Sequence, residues 1–236
     1  MLEVLAVSTL TALATGLGVI PVWALGTDAE RWRPSLTGFA GGAMAVAAFV
    51  GLLGPALDRG SVGEVAGGFL AGVAFLLVTR LALGTSHNLD RERRSAMLIF
   101  GVLFVHSLPE GFAIGTAYAS EEAALGAFVV VAIALQNIPE GTGVALPLAA
   151  SGASVARQAW AAVLTSVPQP IGACIAFLLV ESITGLLPIS FGFAAGAMLM
   201  LVITELRPHV KTLGGWSAGF LVGAGLMLAI GAVAGV

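Results

Sequence analysis

Eight apolar segments, each about 20 residues long or longer, follow one another along this chain of 236 residues. About 20 apolar residues are needed to cross the hydrocarbon layer as a helix. The chain is 58% hydrophobic and only 10% charged, with a mean hydropathy of +1.02, which is far above what a soluble domain of this length needs for its core. The period-two alternation of a membrane β-barrel is absent from the sequence. We therefore predict an all-α membrane protein with a single transmembrane domain over residues 1–236. The predicted spans lie near residues 2–25, 36–57, 62–83, 95–118, 122–150, 155–180, 186–207 and 214–235.

The basic residues of the loops predict the orientation of these spans. With eight alternating spans, nine Lys and Arg residues lie in the loops on one side and only Arg59 lies on the other. Because basic loops stay in the cytoplasm, the basic side should be cytoplasmic and both termini extracytoplasmic. The chain should then be a multi-pass protein of the plasma (inner) membrane.

Two spans carry nearly the same heptapeptide. Residues 38–44 read Gly-Phe-Ala-Gly-Gly-Ala-Met and residues 192–198 read Gly-Phe-Ala-Ala-Gly-Ala-Met, so six of seven positions agree. The second and seventh spans cross the bilayer in opposite directions, which is typical of an inverted-topology repeat. We predict three helices, a central pair and three inverted helices. Independent selection of small residues for close helix packing is the alternative.

A second pair of related motifs lies in the central spans. His106-Ser-Leu-Pro-Glu110-Gly in the fourth span and Gln136-Asn-Ile-Pro-Glu140-Gly in the fifth begin 30 residues apart. A carboxylate at hydrocarbon depth costs several kcal/mol unless it is paired, hydrated or bound to a cation, so such residues indicate a functional site. The spacing of four places His106 beside Glu110, and Gln136 beside Glu140, on one helix face.

The chemistry of these four side chains predicts a divalent metal site. Two carboxylates would balance the charge of one divalent ion, with a neutral imidazole as a further ligand. Imidazole and carboxylate suit zinc and other first-row metals better than calcium or magnesium, which prefer oxygen alone. We expect His106, Glu110, Gln136 and Glu140 to hold the ion near the membrane midplane.

Further polar residues are weaker candidates. Ser107, Asn137 and Gln169 could support the metal or form a secondary position, and Gln169 lies in a Pro168-Gln169-Pro170 sequence that should break the sixth span. An interhelical hydrogen bond is the alternative role for Gln169. Asp58 is a candidate for the entrance, and Glu205 and His209 are candidates for the exit.

These motifs, the eight spans and the basic third loop resemble the ZIP (Zrt/Irt-like) family of divalent metal transporters over essentially the whole chain. The resemblance implies uptake of zinc, iron, manganese or cadmium ions into the cytoplasm, and the ligand types do not separate these from cobalt. It also implies an eight-helix inverted-repeat bundle that moves by an elevator-like alternating-access mechanism. The metal is the substrate, and no separate cofactor is expected. Carried over by motif, the primary ligands would be His106, Glu110, Gln136 and Glu140.

The chain departs from the family pattern at three positions. Members with two metals usually have Asn, Asp and Glu where this chain has Ser107, Asn137 and Gln169, so two carboxylates are lost. A second divalent ion would then be poorly compensated, and we predict one tight metal site with a weak or empty second one. Thr204-Glu205 replaces the usual His-Glu pair of the seventh span, so the resemblance does not establish which residues form the exit path.

Two other functions remain alternatives at this point. A proton-linked transporter of an organic solute would use Glu110 and Glu140 as proton carriers. An intramembrane metalloenzyme would need an activated water and a fuller set of metal ligands, and no His-Glu-x-x-His motif occurs in the sequence. We expect that the chain is not an enzyme and has no nucleic-acid partner. The sequence does not determine whether the chain forms a homodimer or which metal it carries.

Overall fold

A computed structural model describes residues 1–84, 91–204, 206 and 212–236. Within these ranges the chain is helical and contains no β-strand. The α-helices are α1 Leu2–Ala14, α2 Val19–Leu25, α3 Ala29–Val46, α4 Gly54–Arg59, α5 Val62–Gly84, α6 Arg91–Ala119, α7 Ala123–Ala150, α8 Val155–Thr165, α9 Pro168–Ser182, α10 Leu187–Thr204 and α11 Leu213–Ala234. Short 3-10 segments lie at Thr15–Gly18, Gly26–Asp28 and Thr184–Leu186, and a π-helical segment lies at Ala47–Leu53.

Seven helical stretches of the described ranges are long and apolar enough to cross a membrane. They are Leu2–Leu25, Ala29–Arg59, Val62–Ala82, Ala123–Ala150, Val155–Ser182, Leu187–Thr204 and Leu213–Ala234. The predicted fourth span, residues 95–118, lies within α6, which is 29 residues long. The chain is therefore an integral multi-pass membrane protein.

The second span begins earlier than its apolar segment does. Its helix starts at Ala29, seven residues before the predicted boundary at residue 36. Most of the added residues are polar, and Arg33 forms an ion pair of 2.8 Å with Glu30 on the exposed surface. Hydropathy marks only the part of a helix that crosses the hydrocarbon, whereas the helix itself continues beyond it.

Glycines let the helices pack in close pairs. A Cβ atom on Gly42 of α3 would lie 2.1 Å from the carbonyl oxygen of Phe220 in α11, and one on Gly223 of α11 would lie 2.2 Å from that of Phe39. Both distances are far below van der Waals contact, so any side chain here would force the helices apart. Such close backbone approach is how helices associate in lipid.

The same packing joins two more helix pairs. In the pair α5 and α10, a Cβ on Gly72 would lie 2.0 Å from the carbonyl oxygen of Phe193. In the pair α6 and α9, a Cβ on Gly111 would lie 2.0 Å from the carbonyl oxygen of Gln169. The last pair matters for function because Gly111 directly follows Glu110.

The spans beside α7 are broken, and each break lies next to the polar motifs. The first span changes from α to 3-10 geometry at Thr15–Gly18, and its backbone lies against Gly141 of α7. The sixth span stops at Thr165 and restarts at Pro168, as the proline pair predicted. Backbone carbonyls near such breaks can bond side chains instead of the next helical turn.

Candidate metal centre

The two Pro-Glu-Gly motifs lie in the middle of two neighbouring antiparallel helices. His106 and Glu110 lie on α6 (Arg91–Ala119), and Gln136 and Glu140 lie on α7 (Ala123–Ala150). Both helices continue through the prolines of their motifs. All four side chains are buried, with at most 9% of each residue exposed.

Three of these side chains converge. One potential ligand atom from each of His106, Glu110 and Glu140 lies within 4.8 Å of the other two. The Nε2 atom of His106 is 3.2 Å from Oε2 of Glu140, which joins α6 directly to α7. Among the described residues this is the group of histidines and carboxylates with the spacing of a metal site.

Gln136 completes the cluster from α7. Its Nε2 donates a hydrogen bond of 2.6 Å to Oε1 of Glu110. Its own carbonyl oxygen, Oε1, is buried and has no hydrogen-bond partner. The glutamine therefore links the two motifs a second time while it leaves an oxygen unused.

Four buried oxygens in this region have no donor: Glu110 Oε2, Gln136 Oε1, Asn137 Oδ1 and Glu140 Oε1. A buried polar atom without a partner costs about 1–3 kcal/mol, and more if it is charged. All four are acceptors, so a cation would satisfy them whereas a further carbonyl or carboxylate would not. The donor set has the oxygens and the imidazole that zinc and other first-row metals bind.

The spacing of the triad also fits an ion after small side-chain movements. Ligand atoms about 2.1 Å from a tetrahedral zinc ion lie roughly 3.4 Å apart. The three ligand atoms are separated by no more than 4.8 Å. Rotations of long side chains such as glutamate can close a gap of this size without moving the helices.

The secondary candidates take different places. Asn137 and Gln169 are fully buried and bond to one another, with Asn137 Nδ2 3.1 Å from Gln169 Oε1. Gln169 thus forms the interhelical hydrogen bond that was the alternative to a role as ligand. Ser107 is buried and donates to the backbone carbonyl of Thr165, at the break between α8 and α9.

The entrance candidate is exposed, in contrast to the buried cluster, and the exit candidates fall outside the described residues. Asp58 lies at the end of α4 and is exposed. Glu205 and His209 fall outside the ranges that the structure describes, as does much of the predicted polar loop of residues 85–94.

Sequence reasoning missed the contribution of the first span. Thr11 is buried and bonds both Asn137 and Gln169, through its backbone oxygen and its hydroxyl respectively. A signal was present, because Ser8, Thr11 and Thr15 recur at helical spacing in a largely apolar segment. All three are buried, so this polar stripe faces the protein rather than lipid.

Comparison with known proteins places the chain in a family. Residues 82–231 match the family described as ZIP zinc transporter. Zinc transporter GufA of Myxococcus xanthus is 33% identical over 221 residues, which cover 87% of each chain. Zinc transporter ZIPB of Bordetella bronchiseptica is 31% identical over 236 residues, covering 91% of this chain and 76% of that protein.

A longer plant relative is also similar. A protein of Arabidopsis thaliana, provisionally named a zinc transporter, is 36% identical over 204 residues. The match covers 84% of this chain but only 33% of the Arabidopsis protein, so the chain spans about a third of that relative. The family match covers more than half of the chain, and GufA matches it nearly from end to end. The chain therefore belongs to the ZIP zinc transporter family, whose members are membrane transporters and not enzymes.

Proposed function

We propose that the chain carries a divalent transition metal, zinc in the first place, into the cytoplasm through a buried site between α6 and α7. The ligands are His106, Glu110, Gln136 and Glu140. The names of the bacterial relatives, all zinc transporters, favour zinc over the other first-row metals. Iron, manganese, cobalt and cadmium remain alternative substrates because ligand type alone does not separate them.

The observation that carries this proposal is the triad of His106, Glu110 and Glu140, buried and gathered within 4.8 Å. Two carboxylates at this distance and depth repel one another strongly, because little solvent screens them. A divalent cation removes that repulsion and satisfies the unpartnered oxygens of both glutamates. A site with one imidazole and no thiolate also allows the ion to leave, as a transporter requires.

The charge of the site favours a single tight metal. Asn137 and Gln169 are neutral amides, and they already bond each other and Thr11. A second divalent ion beside the first would meet no further carboxylate in this part of the described structure. We infer one occupied position per chain, with a second that is weak or empty.

Alternating access is supported by the way the helices pair. Helix α3 of the second span packs closely on α11 of the eighth span, and α5 of the third span packs closely on α10 of the seventh. An inverted repeat exchanges the first, second and third spans with the sixth, seventh and eighth. This exchange turns one of the two close pairs into the other. We propose a bundle of eight spans, arranged three, two and three, in which the site-bearing helices move against the remaining spans.

The inward direction of transport is the one that the family resemblance implies. The excess of basic loops supports a cytoplasmic basic side with both termini outside, so the ion would cross from the side of the termini to the basic side. Asp58 would then lie on the outer side near the entrance, and Glu205 with His209 would lie near the exit. A single domain in the plasma (inner) membrane and a homodimer remain proposals of the same kind.

Uptake into liposomes that contain a fluorescent zinc indicator tests the function. Wild-type protein should show saturable uptake, and His106→Ala and Glu140→Gln should each abolish it. Thr142→Val is the matched control, because Thr142 is a buried polar residue of α7 whose hydroxyl bonds only the Ile138 carbonyl of its own helix. Normal uptake in both ligand variants would refute the site, and flux of an organic solute without metal would favour the proton-linked alternative.

A further inference from the structure

Three buried polar side chains from three different spans form a closed hydrogen-bonded ring next to the candidate centre. They are Thr11 of α1, Asn137 of α7 and Gln169 of α9, and each is at most 2% exposed. Gln169 Nε2 lies 2.7 Å from Thr11 Oγ1, and Asn137 Nδ2 lies 3.1 Å from Gln169 Oε1 and 2.8 Å from the Thr11 carbonyl oxygen.

The hydroxyl of Thr11 sets the direction of this ring. It donates its one proton to the carbonyl of Ser8, at 2.9 Å, so that its oxygen is left as an acceptor. The amide of Gln169 must therefore turn its NH2 group toward Thr11. The carbonyl oxygen of Gln169 then faces Asn137, which must donate an N–H of its amide to it.

The backbone of Thr11 sets the other half of the ring. The N–H of Thr15 bonds the Ala12 carbonyl, three residues back, as the first span changes to 3-10 geometry. The Thr11 carbonyl instead accepts from Asn137. The Asn137 amide therefore donates both of its protons, one to the Thr11 carbonyl and one to Gln169. The opposite orientation of this amide is excluded, because it would place the amide oxygen against two acceptors.

This arrangement leaves one oxygen that the ring does not use. Asn137 Oδ1 is buried without a donor, and Asn137 lies three residues before Glu140, on the same side of α7. Glu140 Oε1 is also buried without a donor. A cation could bind both of these oxygens, because each is an acceptor without a donor and the two residues are neighbours on one helix face.

Resting on the metal transport proposed above, we propose that Thr11 is a positioning residue that makes Asn137 present its carbonyl oxygen to the bound ion. Asn137 then supplies a neutral oxygen ligand and adds no charge, so the site keeps the two negative charges that one divalent ion balances. The first span enters the site in this way without contributing a ligand of its own.

The test measures metal binding to the purified protein in detergent, with zinc titrated by calorimetry and with cobalt(II) followed by its visible spectrum. Thr11→Val keeps the shape of the side chain but removes the acceptor, so Gln169 and Asn137 lose their fixed orientation. Zinc affinity should fall about tenfold, the lower end of the effect of removing an outer group that orients a ligand. The cobalt spectrum should change as well, because its intensity follows the number and geometry of the ligands.

Two further variants separate positioning from a general loss of structure. Thr11→Ser keeps the hydroxyl and should restore both the affinity and the spectrum. Thr9→Val is the matched control, because Thr9 lies on the same helix but is exposed, and its hydroxyl bonds only the Leu5 carbonyl. If Thr11→Val is not recovered folded, Gln169→Leu breaks the same ring at its middle and carries the same expectation.

His106→Ala distinguishes failure of this inference from failure of the metal site. Wild-type affinity and an unchanged cobalt spectrum in Thr11→Val or Gln169→Leu would overturn the role of Thr11, while weak binding by His106→Ala would leave the site in place. Wild-type binding by His106→Ala would overturn both. A reduced affinity in Thr11→Ser equal to that of Thr11→Val would also overturn the positioning role, because the hydroxyl would then not matter.

Discussion

A methyl group added at Gly141 should disable the metal centre without touching any ligand. Gly141 directly follows Glu140 on α7, and its backbone lies against the 3-10 segment of the first span. A Cβ atom there would lie 1.8 Å from the carbonyl oxygen of Thr15. Ordinary contact begins at 3.4 Å, so α7 and the first span must separate by about 1.6 Å.

That displacement is large compared with what a metal site tolerates. Metal-ligand distances hold to within about 0.2 Å. Either Glu140 moves relative to His106 on α6, or the first span moves away and breaks the 2.8 Å bond between Thr11 and Asn137. We expect zinc affinity to fall at least tenfold, which is about 1.4 kcal/mol. Overpacking should destabilise the fold by about 1–3 kcal/mol in addition.

Gly143→Ala is the matched control for this change. Gly143 lies two residues further along α7, and a Cβ there would meet no atom within 4 Å. Zinc uptake into liposomes and the thermal unfolding temperature should be measured for both variants. Gly143→Ala should match or slightly exceed the wild type in stability, because alanine favours a helix over glycine by about 1 kcal/mol. Wild-type uptake by Gly141→Ala, or an equal loss in both variants, would refute the argument from close packing.

Three further predictions concern stability. Thr116 and Ser190 share a buried hydroxyl hydrogen bond between α6 and α10. Thr116→Val should lower the free energy of unfolding by about 1–3 kcal/mol, because the Ser190 hydroxyl is left without this partner. Adding Ser190→Ala should recover part of the loss, as measured by thermal unfolding. Arg59 and Glu122 form an ion pair with Glu122 largely exposed, and a double-mutant cycle should give a coupling of about 0.2–1 kcal/mol that shrinks in high salt. Zinc at about 100 times the wild-type Kd should stabilise the wild type by about 2.7 kcal/mol. Chelation should remove this gain, and a thermal scan of His106→Ala at the same zinc concentration should show a much smaller gain.

Several features of this protein could be predicted from the sequence because their cause is local. A span needs enough consecutive apolar residues, so hydropathy located seven stretches that the structure describes as helices able to cross a membrane, most of them within two or three residues of the predicted ends. The helix of the second span begins before the predicted span does, because its first turns are mostly polar and leave no hydropathic signal. The spacing of four within each motif similarly placed His106 beside Glu110 before any tertiary contact was known.

Only the tertiary structure decided which helices meet and what their polar groups bond. That Glu140 of α7 reaches His106 of α6, and that Gln136 bonds Glu110, depends on the rotation of two helices about their axes, which no local pattern encodes. The role of Thr11 was invisible for the same reason, since its partners lie 126 and 158 residues away in the chain. In lipid the apolar surface of a helix favours no particular neighbour, so close glycine contacts and buried hydrogen bonds choose the partners, and both exist only once the helices are packed.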